Sequence, residues 1–353
     1  MLRKVRIQNF KSLKDVTLEL QKVNLLIGPN NSGKSNFLKG LEFVSYDFEK
    51  MNESDILRLK YKGIDFNEID IHVVADKFDY VGIFPENPYI NFYATTKNLS
   101  KSKVWHSKTV DFQSNFPNEN HEDNMLNKFN IELTTIIYKP DPNTFTKPAS
   151  LESANTLLPD CSNLVPFLFN LSQNHKKLFK NLEDNLAKCV GDLVSIGTPA
   201  DGNKLKLKFF DKDDNDYWAD EVSEGVLYFL AVLCIIHQPN PPILLLLEEP
   251  EKGIHPRRIH EIMKFIFQLV EDKDIQVIMT SHNEHVLEEF TTMPESVFIF
   301  DKDDEGATFV KNLQKDIIEP GIIKAKEFGI EPIDYTDNIG ENWFMGLMGG
   351  VPA

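Results

Sequence analysis

The sequence predicts an α/β protein with a mainly parallel central sheet, an antiparallel β subdomain and a helical insertion. Three observations carry this prediction. A glycine-containing loop at 28–35 lies between an apolar run and a helical pattern, the last third alternates apolar runs with helices, and strand-like runs between proline-rich turns occur from about 50 to 150. Strands that alternate with helices favour a doubly wound, mainly parallel sheet.

The first elements follow from the spacing of the apolar residues. Alternation of polar and apolar residues predicts strands at 2–8 and 16–20. The continuous apolar run at 23–27 predicts a strand buried on both faces. Helical spacing at 34–46 predicts an amphipathic helix directly after the glycine-containing loop.

The later elements are predicted in the same way. The expected strands are at 69–75, 88–95, 129–138, 204–210, 243–247, 275–280 and 296–300. The expected helices are at 163–190, 223–237, after Pro256 and at 284–290. We expect residues 1–50 and 200–353 to form one core, with residues 51–199 inserted as a β and helical subdomain.

Composition sets limits on the class of protein. The chain has 353 residues, of which 41% are hydrophobic and 26% charged, as in ordinary globular proteins. Its net charge of -16 argues against a broad basic surface that wraps nucleic acid. Three widely spaced cysteines favour neither zinc nor disulfides. No apolar run reaches the roughly 20 residues that span a bilayer, and no signal peptide is visible, so we expect a cytoplasmic protein.

The segment GPNNSGKS at 28–35 matches the pattern GxxxxGK[ST] between a strand and a helix, which is the context of a P-loop. Glycines let the backbone N–H groups surround a phosphate, and the helix N-terminus favours an anion. Lys34 is predicted to reach the β- and γ-phosphates in catalysis, and Ser35 to bind Mg²⁺. The predicted nucleotide-binding residues are Gly28, Asn30, Asn31, Ser32, Gly33, Lys34, Ser35 and Asn36.

Two adjacent glutamates follow the apolar run ILLLL. A nucleotide site needs a carboxylate at the end of a strand beside the P-loop strand, where it holds Mg²⁺, and a second carboxylate can activate the attacking water. We assign Glu248 to Mg²⁺ and Glu249 to catalysis. The alternative is a strand that ends in a solvated acidic turn.

The segment VSEG at 222–225 precedes an apolar helix. The hydroxyl of Ser223 and the free N–H groups around Gly225 would form an anion site at the helix N-terminus. Serine is also a common helix N-cap, which is the alternative. The position of the segment shortly before the paired glutamates favours the anion site.

The order GPNNSGKS, VSEG, LLLLEEPEKGIHP and TSHN resembles the RecF/SMC-related ABC ATPases, and most of all their compact bacterial branch related to OLD proteins. That branch favours EEPE followed by HP, as at 248–256. The similarity includes CSNLVPFLFNL at 161–171 and the tail ENWFMGLMGGVP, and it is weakest at 50–150. Two departures are the missing second Gly and Gln of the transporter signature, and the lack of a Q-loop glutamine that can be placed.

The resemblance implies a P-loop NTPase head of the ABC type that hydrolyses ATP slowly with Mg²⁺. Residues 1–50 and 200–353 would form the ABC-type ATPase core. It implies a homodimer that sandwiches ATP, in which Ser223 and Gly225 act across the interface. His282 resembles the switch histidine that senses the γ-phosphate. Many compact members pair with a separate nuclease or toxin effector in bacterial anti-phage defence, so such a partner is expected.

Other interpretations stay open. A RecF-like DNA repair ATPase is one, and a non-hydrolysing nucleotide-sensing scaffold is another. The acidic net charge favours the defence role over DNA repair, and Glu249 favours hydrolysis over pure sensing.

Two weaker features bear on DNA and on nuclease activity. The basic run of Arg3, Lys4, Arg6, Lys11 and Lys14 would suit phosphate contacts, but a solvated strand edge is the simpler interpretation. The segment DKDD at 301–304 resembles a nuclease motif of OLD proteins, but a hairpin with an acidic turn is the simpler interpretation of FIFDKDDEGATFV.

Overall fold

The computed structural model describes residues 1–43, 69–75, 78–84, 91–96, 136–152, 154–252 and 254–351. Its strands, in chain order, are β1 (Leu2–Phe10), β2 (Leu13–Glu19), β3 (Val23–Ile27), β4 (Ile69–Ala75), β5 (Phe78–Phe84), β6 (Asn91–Thr96), β7 (Ile136–Tyr138), β8 (Ala149–Ser150), β9 (Leu193–Gly197), β10 (Ala200–Asp201), β11 (Lys204–Leu205), β12 (Lys208–Asp211), β13 (Asp216–Trp218), β14 (Leu244–Glu248), β15 (Gln276–Ser281), β16 (Val297–Lys302) and β17 (Thr308–Asn312).

The helices pack among these strands in two compact units. They are α1 (Lys34–Phe43), α2 (Leu164–Asn174), α3 (Lys176–Val190), α4 (Glu224–Ile236), α5 (Pro256–Lys273), α6 (Glu284–Glu288), α7 (Glu319–Phe328) and α8 (Ile339–Phe344). The first unit comprises Met1–Thr135, Ile243–Leu246 and Asp274–Ala353. The second unit comprises Ile136–Pro242 and Leu247–Lys273.

An antiparallel sheet in the first unit has the strand order β2-β1-β4-β5-β6. In β1, the buried side chains of Val5 and Ile7 alternate with the exposed side chains of Lys4 and Arg6. This alternation is the pattern of a strand with one face on the core. The apolar residues of β4 belong to the same core, because Ile69, Ile71 and Val73 are buried.

Five strands of the six-stranded central sheet lie in the order β17, β16, β3, β15, β14. Its strand β3 is parallel to β15 on one side and to β16 on the other. Every residue of β3 and β15 is buried, as expected for strands covered on both faces. The fold class predicted from the sequence is confirmed, since the parallel core of the sheet carries the P-loop.

The neighbour predicted for the P-loop strand was wrong. We expected β14, which ends in Glu248, to lie beside β3, but β15 lies between them. The runs at 243–247 and 275–280 are equally apolar, so periodicity gives no information about which of them pairs with β3.

The second unit combines helices α2–α5 with two small sheets, ordered β13-β12-β9 and β10-β11-β8. Helix α4 is buried on all sides from Leu227 to Ile236, the pattern of a central helix. The buried carboxylate of Glu183 fixes α3 to β9, because it accepts hydrogen bonds from the Ser195 hydroxyl at 2.7 Å and the Ile196 N–H at 2.9 Å.

Two predicted elements of this unit are divided in the structure. The helical stretch at 163–190 breaks at His175, whose backbone leaves the helical region with φ of -132°. The strand predicted at 204–210 becomes β11 and β12, which pair in different sheets. Alternation predicts an extended chain, but it does not say that the partner strand changes.

The domain boundaries predicted from the sequence stay a prediction. Strand β4 pairs with β1, and β5 and β6 extend the same sheet, while α5 groups with residues 136–242 in the second unit. Most of the strand predicted at 129–138 and the start of that at 88–95 lie outside the described residues. None of the helices in the described ranges is long and apolar enough to cross a bilayer.

Candidate nucleotide-binding site

The loop between β3 and α1 has the backbone of a phosphate cradle. Gly28 has φ of +152° and Gly33 has φ of +108°, values that residues with a Cβ rarely adopt. Space is restricted as well, because a Cβ on Gly28 would lie 2.2 Å from the Phe300 carbonyl oxygen. A Cβ on Gly33 would lie 2.2 Å from the Thr308 hydroxyl. Both positions therefore require glycine.

The ammonium group of Lys34 lies inside this loop. Lys34 is only 6% exposed, and its Nζ donates hydrogen bonds to the carbonyl oxygens of Gly28 at 2.7 Å and Pro29 at 2.8 Å. The hydroxyl of Ser32 is buried and has no hydrogen-bond partner in the described part of the chain. A buried cation and a buried, unsatisfied hydroxyl in one loop fit a nucleotide phosphate.

The other predicted residues of the loop are accessible to a ligand. Asn30 and Asn31 are exposed, and Ser35 is partly exposed at the start of α1. Asn31 has φ of +66°, a conformation that asparagine tolerates better than most residues. The amide of Asn36, which we predicted to contact nucleotide, donates to the Ser12 hydroxyl at 2.9 Å.

A hydrogen-bond network that the sequence did not reveal supports the P-loop. The hydroxyl of Thr308 on β17 donates to the Ser32 carbonyl oxygen at 2.9 Å. The same hydroxyl shares a 2.8 Å hydrogen bond with Ser12, which lies in the turn between β1 and β2. Asn36, Ser12, Thr308 and Ser32 thus form one chain of contacts, and no local pattern could have identified Ser12 or Thr308.

The strand register brings His282 to the level of the P-loop. Parallel pairing aligns Ser281 of β15 with Ile27 of β3, and neighbouring strands lie about 4.8 Å apart. His282 follows Ser281 as Gly28 follows Ile27, so both residues leave the sheet at the same edge. The side chain of His282 is exposed, and its contact to the γ-phosphate stays a prediction.

The C-terminal tail backs the P-loop from the neighbouring strand β16. The N–H of Gly350 donates to the Asp301 carboxylate at 3.0 Å, and the buried indole N–H of Trp343 donates to the Gly350 carbonyl oxygen at 2.9 Å. A Cβ on Gly350 would lie 3.0 Å from the Phe300 carbonyl oxygen and 3.8 Å from Gly28 Cα. Gly350 of the tail therefore lies beside the first residue of the loop.

In the second unit, the paired glutamates lie at the end of β14. The carboxylate of Glu248 is 14% exposed and forms an ion pair with Lys139 at 3.1 Å. Glu249 has φ of +49°, a left-handed backbone that is unusual for glutamate. Strain of this kind concentrates at functional sites. Sequence reasoning found the two glutamates but missed Lys139, which lies more than a hundred residues earlier.

The negative charges of these glutamates also affect the pKa of Tyr228 on α4. Its ring is buried, and its hydroxyl has no hydrogen-bond partner within the described ranges. Burial raises the pKa of Tyr228, and the negative charges of Glu249, Glu251 and Glu248 raise it further. The phenol therefore stays protonated and neutral beside this acidic group.

The segment VSEG places Ser223 at the N-cap of α4. The side chain of Ser223 is exposed and makes no capping hydrogen bond. The hydroxyl therefore does not stabilise the N-terminus of the helix. Gly225 in the first turn is partly exposed. The hydroxyl and the start of α4 are thus exposed, and the anion site at Ser223 and Gly225 stays a prediction.

Two weaker features receive their simpler interpretation. The segment DKDD lies in the hairpin of β16 and β17, and the Asp303 carboxylate accepts hydrogen bonds from the turn N–H groups of Glu305 and Ala307. In the basic N-terminal run, Arg6 pairs with Asp15 at 2.7 Å. Further pairs join Lys4 to Glu19 and Lys14 to Glu305. Acidic neighbours therefore compensate much of this positive charge.

Comparison with protein families decides the class. Residues 1–189 match the family described as "AAA ATPase domain", which is more than half of the chain. The chain belongs to the AAA ATPase domain family. Residues 96–288 of this AAA ATPase also match the family described as "AAA domain, putative AbiEii toxin, Type IV TA system". The first match contains the P-loop, and the second contains Ser223, both glutamates and His282.

Similar proteins agree with this class. A Helicobacter pylori protein named "ATP/GTP phosphatase" is 22% identical over 341 residues, covering 82% of this chain and 87% of that protein. The SMC head domain from Thermotoga maritima is 13% identical with a TM-score of 0.53, covering 88% of this chain and 98% of that chain.

Two further SMC structures share the fold. An SMC head bound to the C-winged helix domain of ScpA is 13% identical with a TM-score of 0.60, covering 88% of this chain and 96% of that chain. The Smc head domain with an extended coiled coil, bound to the C-terminal domain of ScpA from Pyrococcus furiosus, is 12% identical with a TM-score of 0.57, covering 93% and 99%. This AAA ATPase therefore has the SMC-head fold.

Proposed function

We propose that this AAA ATPase binds ATP with Mg²⁺, closes into a homodimer around the nucleotide and hydrolyses it slowly to control a separate effector. The observation that carries the proposal is the phosphate cradle, where two obligatory glycines surround the buried ammonium of Lys34. The Helicobacter pylori relative named "ATP/GTP phosphatase" supports the same chemistry.

Each predicted residue has a defined task in this proposal. Lys34 exchanges its two carbonyl acceptors for phosphate oxygens, because charge-assisted hydrogen bonds to an anion are stronger. The Ser35 hydroxyl and the Glu248 carboxylate would hold Mg²⁺, which neutralises charge on the phosphates and prefers a few protein oxygens together with phosphate and water.

Hydrolysis requires that a water molecule be oriented and lose a proton. Glu249 is assigned this role, and its left-handed backbone restricts the direction of its carboxylate. His282 is assigned to the γ-phosphate, since it leaves the sheet level with Gly28. These assignments divide metal binding, water activation and phosphate sensing among three side chains.

The exposed start of α4 supports the proposed homodimer. Ser223 and Gly225 present a hydroxyl and helix N-terminal N–H groups that the chain does not use for capping. In the proposed dimer, these groups bind the nucleotide held by the P-loop of the other copy. Two composite sites would form, and hydrolysis would release the interface.

The effector is proposed to be a nuclease or toxin of a bacterial anti-phage system, as in the OLD-like branch. The family description that names a toxin and a toxin–antitoxin system supports this class of partner. DNA repair receives less support, because the basic N-terminal run is paired with acidic side chains and the net charge is -16.

The sandwich dimer is tested with Glu249→Gln, which should keep nucleotide binding but lose water activation. We expect the variant to accumulate as a dimer with ATP and Mg²⁺ in mass photometry, while wild type returns to monomer as it hydrolyses ATP. Lys34→Ala is the control and should not dimerise. A Glu249→Gln variant that binds ATP and Mg²⁺ yet stays monomeric at micromolar concentration contradicts the proposal.

A further inference from the structure

Exposed apolar side chains are concentrated near the C-terminus of the first unit. Of the thirteen large apolar side chains that are exposed in the described residues, eight lie between 322 and 347. We call this set the C-terminal apolar surface. Its members are Ile322, Ile323, Phe328, Ile330, Ile333, Phe344, Met345 and Leu347. Exposed apolar groups at this density mark interaction sites more often than isolated ones do.

Hydrogen bonds and packing hold this surface together. The Tyr335 ring packs on α7, because a Cβ on Gly321 would lie 3.3 Å from it. The Asn342 amide of α8 donates to the Asp337 carbonyl oxygen at 2.7 Å. The N–H of Gly340 donates to the Glu288 carboxylate at 2.8 Å, which fixes α8 to α6. The apolar side chains are therefore presented by folded, mutually attached segments.

Exposed acidic side chains are interspersed with these apolar groups along the chain. Between 319 and 341 the chain has six exposed carboxylates and two exposed lysines, a local net charge of -4. The carboxylates are those of Glu319, Glu327, Glu331, Asp334, Asp337 and Glu341. Exposed apolar groups interspersed with carboxylates complement an apolar face bordered by lysine or arginine.

We propose that the C-terminal apolar surface docks a basic amphipathic helix of the effector. This inference rests on the proposed function, because it specifies the chemistry of the partner. A second copy of this chain that used the same surface would place like charges opposite each other, which is unfavourable. The same repulsion disfavours an anionic membrane.

The position of the surface couples docking to the nucleotide. Phe344 and Met345 directly follow the buried Trp343, whose indole binds the Gly350 carbonyl oxygen. Gly350 in turn contacts Phe300 and lies near Gly28 of the P-loop. A partner that shifts α8 thus acts on the segment that backs the loop. Binding of the partner and of ATP should change each other's affinity by the same factor.

The probe is a fluorescein-labelled helical peptide of about 18 residues, roughly five turns, with leucine on one face and lysine on the other. Fluorescence anisotropy measures its binding to the full chain. We expect saturable binding, and affinity about ten-fold weaker for Phe328→Ser and for Phe344→Ser because each loses an apolar anchor. A peptide with glutamate in place of lysine should not bind.

Ile243→Ser is the matched control, because Ile243 is 59% exposed in the same unit but outside the surface. This control variant should bind the lysine peptide as wild type does. Equal binding by all variants, or equal binding of the glutamate peptide, overturns the inference. So does self-association of wild type that Phe344→Ser abolishes, or binding to phosphatidylglycerol vesicles that requires Phe344.

Lys34→Ala separates this inference from the proposed function. If the inference holds, this variant binds the lysine peptide but no fluorescent ATP analogue, and in wild type the peptide changes the affinity for that analogue. Wild type that binds the peptide but no nucleotide would refute the function alone. Wild type that binds nucleotide but shows no Phe344-dependent peptide binding would refute docking alone.

Discussion

Thr308→Val tests whether the network behind the P-loop sets nucleotide affinity. The hydroxyl of Thr308 is buried and donates to the Ser32 carbonyl oxygen at 2.9 Å, and valine has nearly the same shape without a donor. An unsatisfied buried acceptor costs about 1–3 kcal/mol. The loop can regain hydrogen bonds by moving Ser32 towards water, and ATP binding must then reverse that movement. We therefore expect Kd to rise about ten-fold, since about 1.4 kcal/mol corresponds to that factor.

Titration with a fluorescent ATP analogue in the presence of Mg²⁺ measures the effect. Thr308→Ser keeps the hydroxyl and should bind nearly as wild type. Urea unfolding of the same proteins separates affinity from stability. Wild-type affinity in Thr308→Val, together with a free energy of unfolding lowered by about 1–3 kcal/mol, would refute the reasoning. The hydrogen bond would then support the sheet edge and not the loop.

Two further predictions concern charge. Lys34→Ala should lower ATP affinity at least ten-fold, because it removes charged hydrogen bonds worth about 1.5–3 kcal/mol; calorimetry measures this, and unchanged affinity contradicts the role of Lys34. Burial, with a smaller effect of the Lys273 charge, lowers the pKa of His237 from 6.5 to about 4. The contribution of neutral His237 to the free energy of unfolding is fully present above about pH 6.5. It falls as the pH drops towards 4, because the unfolded chain binds the proton more readily, and the loss is about 2 kcal/mol at pH 5. His237→Gln should lose less stability between pH 7 and pH 5 in urea unfolding, and an identical loss contradicts this assignment.

Local patterns predicted the elements that hold the loop. The run 23–27 predicted β3 residue for residue, and GPNNSGKS predicted both the loop and the first residue of α1. These predictions succeed because a run of apolar residues and a strand–loop–helix sequence can each be identified from neighbouring residues alone. The paired glutamates were found for the same reason, at the end of an apolar run.

Contacts between segments that are distant in the sequence could not be predicted from such local patterns. Thr308, Lys139 and Gly350 contact their partners only after distant segments meet, and no spacing marks them. The order of β14 and β15 was missed because equally apolar strands do not encode which of them pairs with β3. The roles of Glu249, Ser223 and His282 stay predictions, as do the dimer and the effector.

The left-handed backbone at Glu249 indicates that this position is not optimised for folding stability alone. A non-glycine residue in the left-handed region is about 1–2 kcal/mol less stable than in the right-handed region, and glycine at φ of +49° would avoid this penalty. A carboxylate at this position therefore lowers stability locally. Stabilisation by directed evolution would favour its loss, whereas the proposed role of Glu249 in water activation predicts that selection for phosphate release would retain it.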